Sequence, residues 1–378
     1  MKNGSLNFFE AMAVLLCGTI GAGILGIPYA VAKVGWTLGM VYIVLLGLIM
    51  LGLNLMLGEV TLRTGRPMQL AGLAGRYLGG TGKKIMAVTS LFSSFGALLA
   101  YLIGEGQILQ GIFGGSSFFW SIIFWIGGSI LVYFGLSLVK KVDIFLTLII
   151  LGVVLLISFL SVQKIELPHL QTVSFGNLLF PIGVILFAFQ SSSAIPQAKN
   201  VLPVNQKKLK SIIILSSVVI TVVYMLFATA VLGVTGNETT EVATVGLGKK
   251  LGMQILILAN IFALFAMGSG FLNLSSAVKN VFLWDYKMTH LTSWVITTTI
   301  PLILFFLGFR SFINTIDLIG AVFGCVVAIL IIMIYWQAKQ KGDLEPHRYR
   351  LHHTLLLSVA VIAIYLIASI YSLIKQFV

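Results

Sequence analysis

Apolar runs of about 20 residues recur along this chain, the length a helix needs to cross the hydrocarbon core of a bilayer. Strands of a membrane barrel would alternate in character over about 10 residues instead, so the fold class is all-α. Eleven such spans are expected, near 7–33, 36–62, 84–112, 117–139, 143–162, 175–198, 210–233, 250–277, 291–308, 314–337 and 353–375. Composition agrees: 58% of the 378 residues are hydrophobic, 9% are charged, and the mean hydropathy is +1.06. The connections are too short and too polar or glycine-rich to hold a core of their own, so residues 1–378 read as one membrane domain.

A net charge of +13 could suggest nucleic acid, but the basic residues sit in short loops between apolar spans rather than in a stripe beside aromatics. That is the pattern of the positive-inside rule, and a nucleic-acid partner is excluded. With the N-terminus in the cytoplasm, six of the 24 basic residues (Lys33, Lys164, Lys249, Lys250, Arg310 and Lys375) fall outside and the rest inside. Eleven spans then put the C-terminus outside. The first apolar run continues past Tyr29–Ala32 with no soluble domain behind it, so it is expected to be a retained helix rather than a cleaved signal. Small size and short cytoplasmic ends point to a prokaryotic cell membrane. Cys17 and Cys325 lie far apart in apolar segments, without CxxC spacing, and imply neither a disulfide framework nor a zinc site.

The first span is interrupted at mid-depth by Gly18-Thr-Ile-Gly21-Ala-Gly23-Ile-Leu-Gly26-Ile-Pro28. The sixth is interrupted by Phe187-Ala-Phe-Gln190-Ser-Ser-Ser193-Ala-Ile-Pro196. Five spans separate the two, so they cross in opposite senses and occupy corresponding places in two inverted halves, the pattern that marks a transporter's binding site. Unwinding a helix in lipid strips backbone groups of partners at several kcal/mol each, unless a ligand supplies them. Amides of Gly21, Ala22 and Gly23, at the positive end of the following half-helix, can meet a carboxylate. Carbonyls around Cys17, Thr19 and Ile20 can hold an ammonium group or a cation. Close helix packing is the competing reading for Gly18–Gly26, and interhelical hydrogen bonding for Gln190–Ser193.

Gly18-Thr-Ile-Gly-Ala-Gly-Ile-Leu-Gly-Ile-Pro-Tyr-Ala30 resembles the first helix of amino acid permeases of the amino acid/auxin and aromatic amino acid type, in the amino acid, polyamine and organocation superfamily. The likeness continues through Gly58-Glu59, the Arg76-Tyr-Leu-Gly79 loop, Phe187-Ala-Phe-Gln190 and Ser269 to Asp285. It implies a LeuT-type fold: two inverted repeats of five helices, about 7–162 and 175–337, plus one extra helix near 353–375, with helices 1 and 6 broken. It also implies cation-coupled amino acid uptake, with spans 1, 2, 6 and 7 rocking against spans 3, 4, 8 and 9. The substrate-binding set it implies, together with the breaks, is Thr19, Gly21, Ala22, Gly23, Ile24, Phe187, Ala188, Phe189, Gln190, Ser191 and Phe265. The resemblance puts the cation site at the Cys17 and Ile20 carbonyls with the Ser269 hydroxyl. Cys17 stands where sodium-dependent members carry asparagine, and Ile144–Leu160 lacks the lysine that some proton-coupled relatives place in helix five. The coupling ion stays open between proton and sodium, and no other cofactor is implied.

Glu59, Glu105 and Asp317 are the intramembrane acids weighed for function, since a charge in hydrocarbon costs a few kcal/mol and is often functional. Glu59 has Arg63 at i+4 and reads as a local ion pair. Glu105, between Gly104 and Gly106, and Asp317, seven residues after Arg310, are proton-relay candidates, weighed against structural roles. The five histidines all fall in or beside loops, and no HExxH or GxSxG occurs, so catalysis is not expected. The partners expected are an amino acid and the lipid bilayer; nothing in the spans specifies an oligomeric state.

Overall fold

The computed structural model describes residues 6–134, 140–202, 208–344, 349–352 and 354–377. Every regular element among them is helical. In chain order these are α1 (Leu6–Thr19), α2 (Ala22–Val34), α3 (Trp36–Arg63), α4 (Leu70–Phe113), α5 (Ser117–Phe134), α6 (Lys140–Ser161), α7 (Leu167–Leu170), α8 (Phe180–Ala188), α9 (Ala194–Val201) and α10 (Leu209–Thr235). There follow α11 (Ala243–Leu251), α12 (Met253–Asn280), α13 (His290–Phe306), α14 (Phe312–Leu318), α15 (Gly324–Lys341) and α16 (Thr354–Phe377). Among the described residues seven helices are long and apolar enough to cross a membrane, or eight if the bent pair α1–α2 is one span.

Two connections are more ordered than the sequence suggests. Residues 63–83 read as a loop, yet helix begins at Leu70 and the chain turns at Gly79, whose backbone (φ 77°, ψ −168°) leaves helical geometry. Only glycine adopts that conformation without strain, so the Leu70–Leu78 segment and the long apolar part of α4 meet at a fixed kink. Likewise 234–249 contains α11, which stops at Gly252 (φ 101°) just before α12. The period of these segments is helical but too short to distinguish from loop by hydropathy alone.

Packing runs inward to large side chains with almost no exposure, including Tyr224, Tyr335, Tyr365, Phe227, Phe271 and Phe312. The outer surface is apolar too: Phe134, Phe159 and Leu356 are 71%, 75% and 80% exposed, as expected where lipid rather than water is the solvent. Wide π turns at Val281–Asp285 and Ile319–Phe323 interrupt the regular ladder. Such turns often accompany functional sites. The second brings Gly320 against the Gly183 carbonyl and Phe187 of α8, so α8 is held closely by the element that joins α14 to α15.

Candidate functional site: the junction of four half-helix ends

Regular hydrogen bonding in the first span ends with the Ile20 N–H donating to the Leu16 carbonyl at 2.8 Å. The chain then bends by 55° into α2. Gly21 precedes α2 with φ −135° and ψ −141°, and no side chain caps the helix. The last carbonyls of α1 and the first amides of α2 therefore lack the partners a continuous helix would give. Thr19 turns its own hydroxyl back to the Leu15 carbonyl at 2.6 Å, so that side chain serves its own helix.

The other interrupted segment mirrors this. α8 stops at Ala188, Phe189 N–H donates to the Ile185 carbonyl (3.0 Å), and Gln190 N–H donates to the Phe187 carbonyl (3.1 Å) in a tight turn. Helix resumes as α9 after the Ala194 N–H bonds the Ser191 carbonyl at 2.9 Å. Ser191 and Ser192 are buried in the gap and Gln190 is half-buried.

The fold brings both gaps to one place. α1 packs on α9 so closely that a methyl grown on Gly18 would lie 2.6 Å from the Ala194 Cβ. α2 packs on α8 with even less room: a methyl on Gly23 would lie 2.5 Å from the Ala188 Cα and 2.8 Å from its Cβ. Two carbonyl ends, carrying partial negative charge, and two amide ends, carrying partial positive charge, thus converge inside the bundle. A group with an ammonium and a carboxylate complements that arrangement.

Between the carbonyl ends stands Tyr224 of α10, fully buried. Its hydroxyl donates to the Ala188 carbonyl at 2.7 Å and lies 3.3 Å from the Thr19 carbonyl. Phe189 packs edge-on against its ring, with centroids 5.0 Å apart at 70°. Tyr101 of α4 reaches the amide side: a methyl on Gly21 would sit 3.4 Å from its hydroxyl, and one on Gly270 of α12 would sit 2.7 Å from it. The sequence singles out neither tyrosine for this place, since each looks like an ordinary aromatic in an apolar run.

The expected site residues divide among these surroundings. Thr19, Ile20, Ala22, Gly23, Ile24, Ala188, Phe189 and Ser191 are buried at the junction, and Gly21 is partly open. Phe187 backs onto Gly320. Phe265 is 62% exposed on α12, unlike the buried Met267 two positions on. Cys17 is half-buried. The Ser269 hydroxyl donates to the Ala266 carbonyl of its own helix at 3.0 Å.

The buried acids differ sharply. Glu59 is fully buried, and its Oε1 accepts from Arg63 Nε (2.9 Å) and Nη2 (2.8 Å). Its Oε2 accepts from the Leu351 N–H at 2.9 Å and from the Tyr335 hydroxyl at 3.5 Å. Glu105 is equally buried on α4, but neither carboxyl oxygen has a side-chain or charged partner. It faces Gly268 of α12, where a methyl would come 3.5 Å from Oε1. On the same α4–α12 seam Asn260 is fully buried beside Gly111, its amide also without partners. Asp317, 3% exposed, packs on Gly183 of α8 and faces Ser372 and Lys375 of α16. Arg310 turns elsewhere, to the Phe305 carbonyl at 3.2 Å and over the rings of Phe118 and Phe305.

The helical bundle around this junction has the LeuT-type fold, which solved structures share. Over 97% of its length the chain is similar to the structure of MhsT in complex with L-phenylalanine (TM-score 0.66, 14% identity, 97% of that chain covered). Inward-facing Mhp1 is similar over 97% of this chain and 89% of its own, also with a TM-score of 0.66 and 14% identity.

The tryptophan/tyrosine permease family matches residues 5–372, and the chain belongs to that family. It is similar to glutamine transporter 2 of Aliivibrio fischeri (24% identity over 90% of this chain and 91% of that protein). It is also similar to the tyrosine-specific transport system 1 of Haemophilus influenzae (26%, over 97% and 96%). The chain is thus a multi-pass membrane protein of an amino acid transporter family, and not an enzyme.

Proposed function

We propose that the protein is a secondary active transporter that moves an amino acid with a cation, proton or sodium, by alternating access. The observation that carries this reading is the convergence of two carbonyl ends and two amide ends in one buried junction, matched to a zwitterion's two charges. Gly21, Ala22 and Gly23 take the substrate carboxylate, and the Thr19 and Ala188 carbonyls face its ammonium group. Ile24, Phe187, Phe189, Gln190 and Ser191 shape the rest, with Phe265 assigned to side-chain selectivity. The relatives' names, a glutamine transporter and a tyrosine-specific system, support an amino acid as substrate.

Eleven spans fit the helices: α1–α2, α3, α4, α5, α6, α8–α9, α10, α12, α13, α14–α15 and α16. The first five form one repeat (about 7–162), the next five its inverted copy (about 175–337), and α16 is the additional helix. Loop charge supports a cytoplasmic N-terminus and an external C-terminus in a prokaryotic cell membrane. Cys17, Ile20 and Ser269 are the candidate ligands if the ion is sodium; Glu105 and Asp317 are the candidate carriers if it is a proton. Substrate and ion drive the cycle only through different affinities for the two states.

Radiolabelled uptake into proteoliposomes over an amino acid panel, with imposed sodium or proton gradients, tests the reading. Saturable accumulation driven by one gradient is expected. Exchange without accumulation under either gradient would restrict the protein to facilitative exchange, and no saturable flux would refute transport of amino acids.

A further inference from the structure

Tyr224 raises a question of charge that the proposed function does not answer. The C-terminal ends of α1 and α8 both present carbonyls at the junction, and like partial charges brought together in an apolar interior need a positive group between them. A bridging cation is one way to supply it. In this protein the Tyr224 hydroxyl stands between the Ala188 carbonyl (2.7 Å) and the Thr19 carbonyl (3.3 Å). The residue is fully buried, and its ring is fixed by Phe189 at 5.0 Å. The ring contact holds the hydroxyl between the two carbonyls, where the O–H supplies the positive end of a dipole.

We propose that Tyr224 is a positioning residue whose hydroxyl does the work of a bridging cation, clamping the two interrupted spans to each other and to α10. This rests on the transport reading above. It implies that the coupling ion acts at another place in the molecule, and that amino acid binding at the junction needs no ion between Thr19 and Ala188. The hydroxyl's one proton is shared, mainly with the Ala188 carbonyl at 2.7 Å and more weakly with the Thr19 carbonyl at 3.3 Å. The Thr19 carbonyl keeps acceptor capacity, and that capacity is what the substrate's ammonium group uses.

The test compares wild type, Tyr224→Phe and Tyr224→Ser in proteoliposomes, measuring amino acid counterflow with sodium, ammonium or N-methylglucamine as the bulk cation. Tyr224→Phe keeps the ring and its contact with Phe189 and removes only the donor. A KM at least tenfold above wild type is expected, with maximal flux changed less than threefold. Tyr224→Ser opens the volume of the ring, and sodium or ammonium should lower its KM at least threefold relative to N-methylglucamine. A purely structural tyrosine would instead give Tyr224→Phe a lower melting temperature and an unchanged KM, and that result overturns the proposal. Indifference of Tyr224→Ser to the cation overturns it as well. Absence of counterflow in wild type sinks the transport reading; counterflow in wild type with Tyr224→Phe at the wild-type KM sinks the clamp alone.

Discussion

The Glu59 region and the Glu105 seam are equally buried and oppositely furnished. Around Glu59 both carboxyl oxygens are used, by Arg63, the Leu351 amide and Tyr335, and α3 is tied through them to the segment ahead of α16. Along the α4–α12 seam, Glu105 and Asn260 keep polar atoms with no side-chain or charged partner. Burial is the same, so burial does not separate the two acids; their partners do. A buried charge with its hydrogen bonds complete holds a fold together. A buried carboxyl with no charged partner is the kind of group a proton relay uses.

The largest effect expected from this contrast is at Glu59. Glu59→Ala leaves the Arg63 guanidinium buried and uncompensated, a loss of about 3–5 kcal/mol. Thermal melts in detergent should show a folded yield far below wild type. A near-normal melt would erase the distinction between the two acids. Gly23 is next: Gly23→Val drives a branched side chain into the Ala188 backbone and should destabilise by about 1–3 kcal/mol. Because Gly23 also packs α2 against α8, loss of uptake in this variant does not separate that contact from carboxylate binding.

Glu105→Gln should change stability by less than about 1 kcal/mol, since it keeps the shape of the side chain and breaks no ion pair. Under the proposed function, its effect falls on coupling. Counterflow should persist, while accumulation driven by an imposed pH gradient disappears if Glu105 is the proton carrier. Reaction with a hydrophobic carbodiimide, mapped by mass spectrometry, sharpens the same comparison without any variant: Glu105 should be modified and the ion-paired Glu59 spared. The smallest stability change is expected for Gly21→Ala, below about 0.5 kcal/mol, because its methyl meets only the Tyr101 hydroxyl at 3.4 Å.

Local patterns were readable in the sequence and distant ones were not. The glycine–proline cluster at 18–28 and the polar insertion at 190–193 announce interrupted helices because they contradict the apolar run around them. The Glu59–Arg63 pair follows from i,i+4 spacing on one helix. Tyr224 escaped because its partners, Thr19 and Ala188, are 205 and 36 residues away and are backbone carbonyls with no side-chain signature. Asp317 was set beside Arg310 by proximity in sequence, whereas its charged neighbour is Lys375 on α16. Gly23 and Gly21 look alike on paper; one touches the Ala188 backbone and the other a tyrosine hydroxyl, and only the packing of α2 on α8 separates them.

The central claim is that an amino acid crosses the membrane through the junction of the four half-helix ends. Amino acid counterflow in proteoliposomes, comparing wild type with Gly21→Ala, tests it most directly. The account predicts saturable exchange by the wild type and, in the equally stable variant, a KM raised roughly tenfold, or about 1.4 kcal/mol of lost binding. Saturable exchange with the same KM in both proteins would contradict it.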